Sequence, residues 1–250
     1  MKFENGYNRI VGEQQTGFDF GVRVMKAGDV HREKTAKETF ILLLSGSVEV
    51  VFNDKKFNIS RKNVFEDSGK AFLFPSGIEY EITAKGDAEL TEIRVENENK
   101  FEPRFFENVQ GARFGKPRSV YERIVTTYVD YEKVKESKLV VGEVLHPDPF
   151  RTVWSSYPPH SHEHIEVYFY KFMPEQGFGF SEAGGGTDGR KPKKVVNNDF
   201  VIIPGNACHS QVSAPGYKMW YLWIMKHLPN NPWTRASVRF DEKHKWVMEI

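Results

Sequence analysis

The sequence predicts an all-β fold of two barrels in tandem with few short helices, and three observations carry that prediction. Apolar segments are short, aromatic or β-branched, and bounded by Gly, Pro, Asn or Asp, which is how strands are punctuated. A pattern in the first half returns in the second. Glu38-Thr39-Phe40-Ile41-Leu42-Leu43 resembles Glu166-Val167-Tyr168-Phe169-Tyr170-Lys171, and Phe72-Leu73-Phe74-Pro75 resembles Val201-Ile202-Ile203-Pro204. The two pairs keep nearly the same separation along the chain, as a duplicated unit would. Finally, 250 residues suffice for two domains of ordinary size.

Taken in order, the first half offers strands at Phe18–Val24, Thr39–Leu44, Val48–Phe52 and Ile78–Thr83. Ser45-Gly46-Ser47 stands between the middle two as a hairpin turn. A stretch punctuated by Pro and Gly, from about Phe101 to Arg118, serves as connector, so the domains are set at 1–105 and 106–250. Tyr121 to Lys138 is the one candidate helix, on apolar residues at Ile124, Val125, Tyr128, Tyr131 and Val134. Strands follow at Leu139–Val144, Ile165–Phe172, Asp199–Ile203 and Tyr217–Met225.

Composition narrows the function classes. There are 35 basic and 34 acidic residues, for a net charge of +1, with no block of one sign. Nucleic acid and anionic membrane surfaces therefore gain no electrostatic support as partners. The longest apolar runs, such as Phe40 to Leu44, are too short to span a bilayer. The opening residues, Met1 to Gly6, hold no apolar stretch of signal-peptide length, and Cys208 has no second cysteine to pair with. The expectation is a cytoplasmic protein whose partner is a small molecule, with self-association into a homo-oligomer left open.

The histidines point to chemistry. Of the 8, most lie between His146 and His209, three of them in Pro158-Pro159-His160-Ser161-His162-Glu163-His164-Ile165-Glu166. Strand alternation sends His160 and His162 to one face. Glu166 opens the next strand and can return to the same pocket, whose wall Tyr168 and Tyr170 continue. His209 follows the Pro204-Gly205-Asn206 turn and closes the set from a neighbouring strand. Three neutral imidazoles and a carboxylate suit a borderline divalent ion, zinc first and manganese or iron as alternatives, at one per chain. The plainer alternative is a surface histidine cluster, with His162 and His164 solvated around a turn. Cys208 is read as a small buried hydrophobe turned away from His209. In the first half Tyr80 takes the place of His209, and His31 has no paired histidine, so that barrel is read as structural.

Several of these residues together resemble a known family. Trp154-Ser155-Ser156-Tyr157-Pro158-Pro159-His160-Ser161-His162, then Glu166-Val167-Tyr168-Phe169-Tyr170, then Gln176-Gly177-Phe178-Gly179-Phe180, resemble the 5-deoxy-glucuronate isomerases of myo-inositol catabolism. The likeness is sharpest from about Val141 to Met225. The histidine pair and glutamate stand closer together than is usual there, a spacing similar to that of the 5-keto-4-deoxyuronate isomerases of pectin breakdown. The resemblance implies a bicupin, two cupin-type β-barrels in tandem. It also implies interconversion of 5-deoxy-D-glucuronate and 5-dehydro-2-deoxy-D-gluconate, and a metal held by His160, His162, Glu166 and His209.

An aldose–ketose isomerisation moves a proton between adjacent carbons, so a general base is needed as well as the cation. Tyr168, Glu163 and a metal-bound hydroxide are the candidates. Gln176, Arg151 and Trp154 are candidate contacts to a uronic acid, whereas alternation from Glu166 turns Lys171 outward. A cupin dioxygenase and a non-catalytic sugar-binding bicupin are the rival readings. A need for oxygen would mark the first, and indifference to metal the second.

Overall fold

Segments rich in aromatic and β-branched residues pair antiparallel throughout, and the chain gathers into two compact units. The computed structural model describes residues 1–146, 148, 154, 156–184 and 191–250. No helix among them is long and apolar enough to cross a membrane.

The first unit comprises Lys2–Val109 with Val134–Lys138. Its strands are β1 (Gly6–Val11), β2 (Asp19–Met25), β3 (Val30–Lys34), β4 (Glu38–Phe52), β5 (Lys55–Arg61), β6 (Ala71–Phe74), β7 (Glu79–Ala84), β8 (Ala88–Val95) and β9 (Arg104–Phe106), and a single-turn helix, α1 (Glu13–Thr16), follows β1. One path through the hydrogen-bonded strands runs β1-β2-β8-β4-β6-β9, while β7 joins β3 to β4 and β5 pairs with β4. Ile41, Leu43, Phe72, Phe74 and Ile82 fill the interior. The expected domain boundary after residue 105 falls inside β9, which pairs with β6 of this unit.

Two expectations are corrected here. Ser45-Gly46-Ser47 is no hairpin turn, because β4 runs through it without a break. Up to Ser45 the strand pairs with β8 and β6; from Gly46 onward it pairs with β5 and β7. A register shift between Leu43 and Ser45, then Gly46 at φ 98, bends the strand from one sheet into the other. A Cβ at Gly46 would stand 2.2 Å from the Asp87 carbonyl oxygen, on top of the strained φ. Gly46→Ala should therefore cost about 1–3 kcal/mol or more, read as a lower urea midpoint at unchanged slope.

The second correction concerns the candidate helix over Tyr121–Lys138. It is a strand, β11, over Arg123–Val129. The apolar spacing admitted a helix, but Ile124-Val125-Thr126-Thr127 is a β-branched run whose χ1 freedom a helix would restrict.

The second unit comprises Gln110–Lys133 and Leu139–Ile250, with Met1. Its strands are β10 (Ala112–Phe114), β11, β12 (Leu139–His146), β13 (His160–Ser161), β14 (Glu166–Met173), β15 (Phe178–Gly184), β16 (Lys191–Val196), β17 (Phe200–Ile203), β18 (Cys208–Ser213), β19 (Lys218–Lys226) and β20 (Arg239–Phe240). They form two sheets, β10-β11-β12-β19-β14-β17 and β16-β15-β18-β13-β20. Tyr168, Tyr170 and Phe172 on alternate positions of β14 pack inward with Val144, Ile203, Tyr221 and Trp223. Glu166, two positions before Tyr168, faces the same interior.

Candidate metal centre

Local backbone geometry brings the histidines together. β13 pairs with β18 so that His160 stands opposite His209, and their ring centroids are 4.1 Å apart. The turn after β17 is stitched to the histidine segment, because Asn206 N–H donates to the His162 carbonyl at 2.7 Å. Gly205 has to be glycine there, since a Cβ would lie 2.3 Å from the Glu163 carbonyl oxygen. Asn206 completes the turn at φ 64, a left-handed conformation that asparagine tolerates.

The side chains are then oriented one by one. His160 Nδ1 donates to the Pro158 carbonyl at 3.0 Å, His162 Nδ1 to the His164 carbonyl at 3.0 Å, and His209 Nδ1 to the Ala207 carbonyl at 2.9 Å. A carbonyl oxygen only accepts, so each Nδ1 carries the proton and each Nε2 is left with its lone pair. The ligand atoms of the three histidines lie within 4.8 Å of one another. Glu166 Oε2 is among them, 3.1 Å from His162 Nε2 and 3.2 Å from His209 Nε2. All four residues are buried. Lone pairs and a carboxylate facing one another out of water repel unless a proton or a cation stands between them. The donor set thus fits a divalent metal with imidazole and carboxylate ligands and fixed outer hydrogen bonds.

Electrostatics point the same way. Burial alone would raise the Glu166 carboxyl, but positive charge on the side of His162 and His209 that faces it, whether a proton or a cation, brings it far below the usual carboxylate range. Burial pushes the His160 imidazole well down, and the neighbouring His209 adds to the effect. The site therefore keeps its carboxylate charged and this imidazole neutral, as ligands must be.

The residues expected from sequence fall into two groups. His160, His162, Glu166 and His209 converge. Tyr168 joins them, its hydroxyl donating to Glu166 Oε2 at 2.8 Å. Burial first, and then the Glu166 charge, push the Tyr168 phenol well up, so it holds its proton. Glu163 is half exposed and ion-paired with Arg239 at 2.6 Å. Gln176 is exposed, and Trp154 bridges Val212 away from the cavity lining. Lys171 lies over the Phe169 ring, on the outer face. Arg151 lies outside the described residues. His164 is buried rather than solvated; its ring meets the Asn231 carbonyl, and only its own carbonyl serves the site. Cys208 alternates away from His209 on β18 and is not in the cluster.

A small, partly open cavity of about 60 Å³ lies beside the four converging residues. Tyr157, Tyr221, Trp223 and Trp233 wall it, together with two arginines, Arg123 and Arg235, that sequence reasoning missed. Arg123 was hidden by the helix expectation. On a strand, its alternation with the interior residue Val125 would have placed it facing inward.

The matching place in the first unit follows from strand register. Glu33 stands opposite Tyr80 as His160 stands opposite His209. Thr39 stands opposite Phe74 and Arg94 as Glu166 stands opposite Ile203 and Met225. The counterparts of the ligands are therefore Glu33, Thr35, Thr39 and Tyr80. Glu38, which the sequence pattern matched to Glu166, lies on the other face. There its carboxylate accepts from Asn97 at 2.7 Å, from the Lys138 backbone at 2.9 Å and from Ser137. In the first barrel Arg94 donates to Glu33 at 3.0 Å and also reaches Glu92, which Arg23 contacts in turn. A guanidinium stands where the other barrel presents its ligands.

Comparisons with known proteins agree with this architecture. A family model described as the KduI/IolB family matches residues 6–247. The 5-deoxy-glucuronate isomerase of Geobacillus thermodenitrificans is 29% identical over 254 residues, covering 95% of this chain and 88% of that protein. The 5-deoxy-glucuronate isomerase of Bacillus subtilis strain 168 is 28% identical, covering 94% and 89%. Among solved structures, an IolB-like protein from Salmonella typhimurium LT2 superposes with a TM-score of 0.84 at 25% identity, covering 98% of this chain and 96% of that one. An oxalate decarboxylase of Bacillus subtilis matches at a TM-score of 0.61 and 13% identity, over 90% of this chain and 74% of its own, and shares the fold alone.

Proposed function

The chain belongs to the KduI/IolB family, and on that premise we propose that it is a metal-dependent aldose–ketose isomerase converting 5-deoxy-D-glucuronate to 5-dehydro-2-deoxy-D-gluconate. The observation that carries this reading is the convergence of three backbone-oriented histidines and the Glu166 carboxylate on one buried point beside a cavity. His160, His162, Glu166 and His209 would hold one divalent ion, zinc first, with manganese and iron acceptable to the same ligands. When bound, such an ion polarises a carbonyl and stabilises the charge that develops on its oxygen.

The chain's own residues supply orientation and an apolar wall. The Nδ1 hydrogen bonds fix each imidazole ring, so the ligands need little rearrangement. Tyr168 Oη keeps its proton and holds Glu166 Oε2 in place. Tyr157, Tyr221, Trp223 and Trp233 give the cavity a largely apolar wall. The reading also places the protein in the cytoplasm, acting on a free sugar acid.

The purified protein, assayed under nitrogen without nicotinamide, should interconvert 5-deoxy-glucuronate and its 2-deoxy-5-keto isomer. In deuterated water, part of the product should carry deuterium at the carbon that receives the proton. A strict oxygen requirement, with oxygen atoms appearing in the product, would sink the isomerase and favour a dioxygenase.

A further inference from the structure

Among the described residues, Arg123 is the one buried arginine that lines the cavity, and its described surroundings leave its charge unanswered. Its side chain is only 2% exposed. Nη1 donates to the Tyr121 carbonyl at 3.2 Å, and Nη2 makes a long bond of 3.4 Å to the Tyr121 hydroxyl. The guanidinium carbon stands 4.3 Å from the centroid of Tyr121, 4.9 Å from Tyr157 and 5.2 Å from Phe114. Among the described residues it forms no ion pair with a carboxylate. The nearby acids are engaged elsewhere: Glu122 with Arg113, and Glu143 with Tyr128 and Trp220. In the first unit, by contrast, Arg23 and Arg94 both meet Glu92.

Burying a charge without a counter-charge is costly. Aromatic faces recover part of that cost, up to about 2 kcal/mol for a desolvated contact, but they leave the fork of N–H donors unfilled. Such an arrangement persists where a ligand completes it. A second guanidinium stands close by. Arg235, exposed at the rim, lines the same cavity and lies 5.1 Å from the centroid of the same Phe114 ring, again with no carboxylate partner among the described residues. The cavity is lined by this pair and by the ligand cluster, and Tyr157 touches both, its ring 4.9 Å from the Arg123 guanidinium carbon and 5.5 Å from the His160 ring.

The geometry points to Arg123, assisted by Arg235, as the seat of the substrate's carboxylate, which sets the carbonyl end of a sugar acid against His160, His162 and Glu166. The inference rests on the isomerase reading for the identity of the acid. A planar fork suits a carboxylate bidentately, and Trp223 and Trp233 cover the chain between the two ends. Arg123 and Arg235 bind and orient; no proton is moved by either.

Two measurements test it. In steady-state assays, Arg123→Gln should raise KM for 5-deoxy-glucuronate on the order of ten- to a hundredfold, the range for a hydrogen bond to a charged group. The neutral analogue 5-deoxy-glucose should compete for the wild type as weakly as for the variant, whereas competition by the acid should weaken in the variant, and metal content should stay at the wild-type level. Arg123→Lys keeps the charge without the fork and should fall between, and Arg235→Gln should lose severalfold. The second measurement needs no turnover: D-glucuronate, but not D-glucose, should perturb the tryptophan fluorescence of wild type, and Arg123→Gln should abolish that preference. If the wild type isomerises no 5-deoxy-glucuronate while Arg123→Gln still abolishes the preference, the functional reading falls and the carboxylate site stands. Should Arg123→Gln fail to fold, Arg123→Lys and Arg235→Gln decide. An undiminished preference for the acid in the folded variants overturns the site.

Discussion

His209→Ala should empty the metal centre and lower isomerisation about a thousandfold. His209 is fully buried, its Nδ1 is tied to the Ala207 carbonyl, and its Nε2 lies 3.2 Å from Glu166 Oε2. Alanine would remove one of the four proposed ligands and leave His160, His162 and Glu166 to hold the ion alone. A bound cation contributes several kcal/mol of charge stabilisation in such reactions, and about 4 kcal/mol corresponds to a thousandfold in rate. His160→Ala should behave alike, since the two rings are neighbours across one strand pair. Tyr80→Phe, at the equivalent register position of the first barrel, should leave metal content at one per chain. Elemental analysis and initial rates on the same preparations read both effects. Two ions per chain, or full occupancy in both histidine variants, would refute the one-site assignment.

Chelation of the wild type should abolish activity and lower Tm, and one equivalent of zinc, manganese or iron should restore both. A ligand present at a hundred times its Kd stabilises the fold by about 2.7 kcal/mol, which for a chain of this size corresponds to roughly 5–10 °C in Tm. The gap between loaded and metal-free protein should depend on pH. Acid protonates imidazoles and expels the ion, so the stabilisation by metal shrinks as pH falls. The metal-free fold weakens over the same range. Burial, with His209 beside it, holds the His160 imidazole below its unfolded value. The unfolded chain therefore binds its proton first, and stability falls as pH drops below about 6.5. Calorimetric scans from pH 8 to pH 5, with and without chelator, would show it. A metal-free Tm that rises on acidification through this range would contradict the buried, neutral His160.

The convergence of His160, His162, Glu166 and His209 was largely legible in the sequence, because its signals are local. His160 and His162 alternate on one strand, Glu166 opens the next, and His209 follows a Pro-Gly-Asn turn whose close packing on the His162–His164 segment demands the glycine. The strand-rich composition likewise announced barrels. What escaped was register and direction. Glu38 seemed the twin of Glu166 because both begin a strand, yet one residue of slip puts the first on the opposite face. Ser45-Gly46-Ser47 has the composition of a turn but makes a bend within β4, a choice that depends on partners from distant segments. Arg123 was masked because Ile124, Val125 and Tyr128 satisfy a helical spacing as well as a strand's; β-branching was the discriminating signal. Arg235 carries no local mark at all, since only the folding of the chain's last stretch brings it to the rim.

Arg94 makes metal binding by the first barrel hard to reach in sequence space. Rebuilding ligands there means changing Glu33, Thr35, Thr39 and Tyr80, and while Arg94 stands an incoming cation meets a fixed positive charge. Removing Arg94 first strips a partner from Glu33 and from Glu92, whose side chain is wholly buried. Glu92 would keep Arg23, so the cost stays below about 3–5 kcal/mol, that of an uncompensated buried charge, yet it draws on the 5–15 kcal/mol that typically separates folded from unfolded chains. Either order of steps passes through proteins that bind no metal and fold less well. The two halves have thus become unequal in what mutation can do to them. The second barrel would lose the proposed ion by one substitution, whereas the first could gain one only by crossing a valley several residues wide.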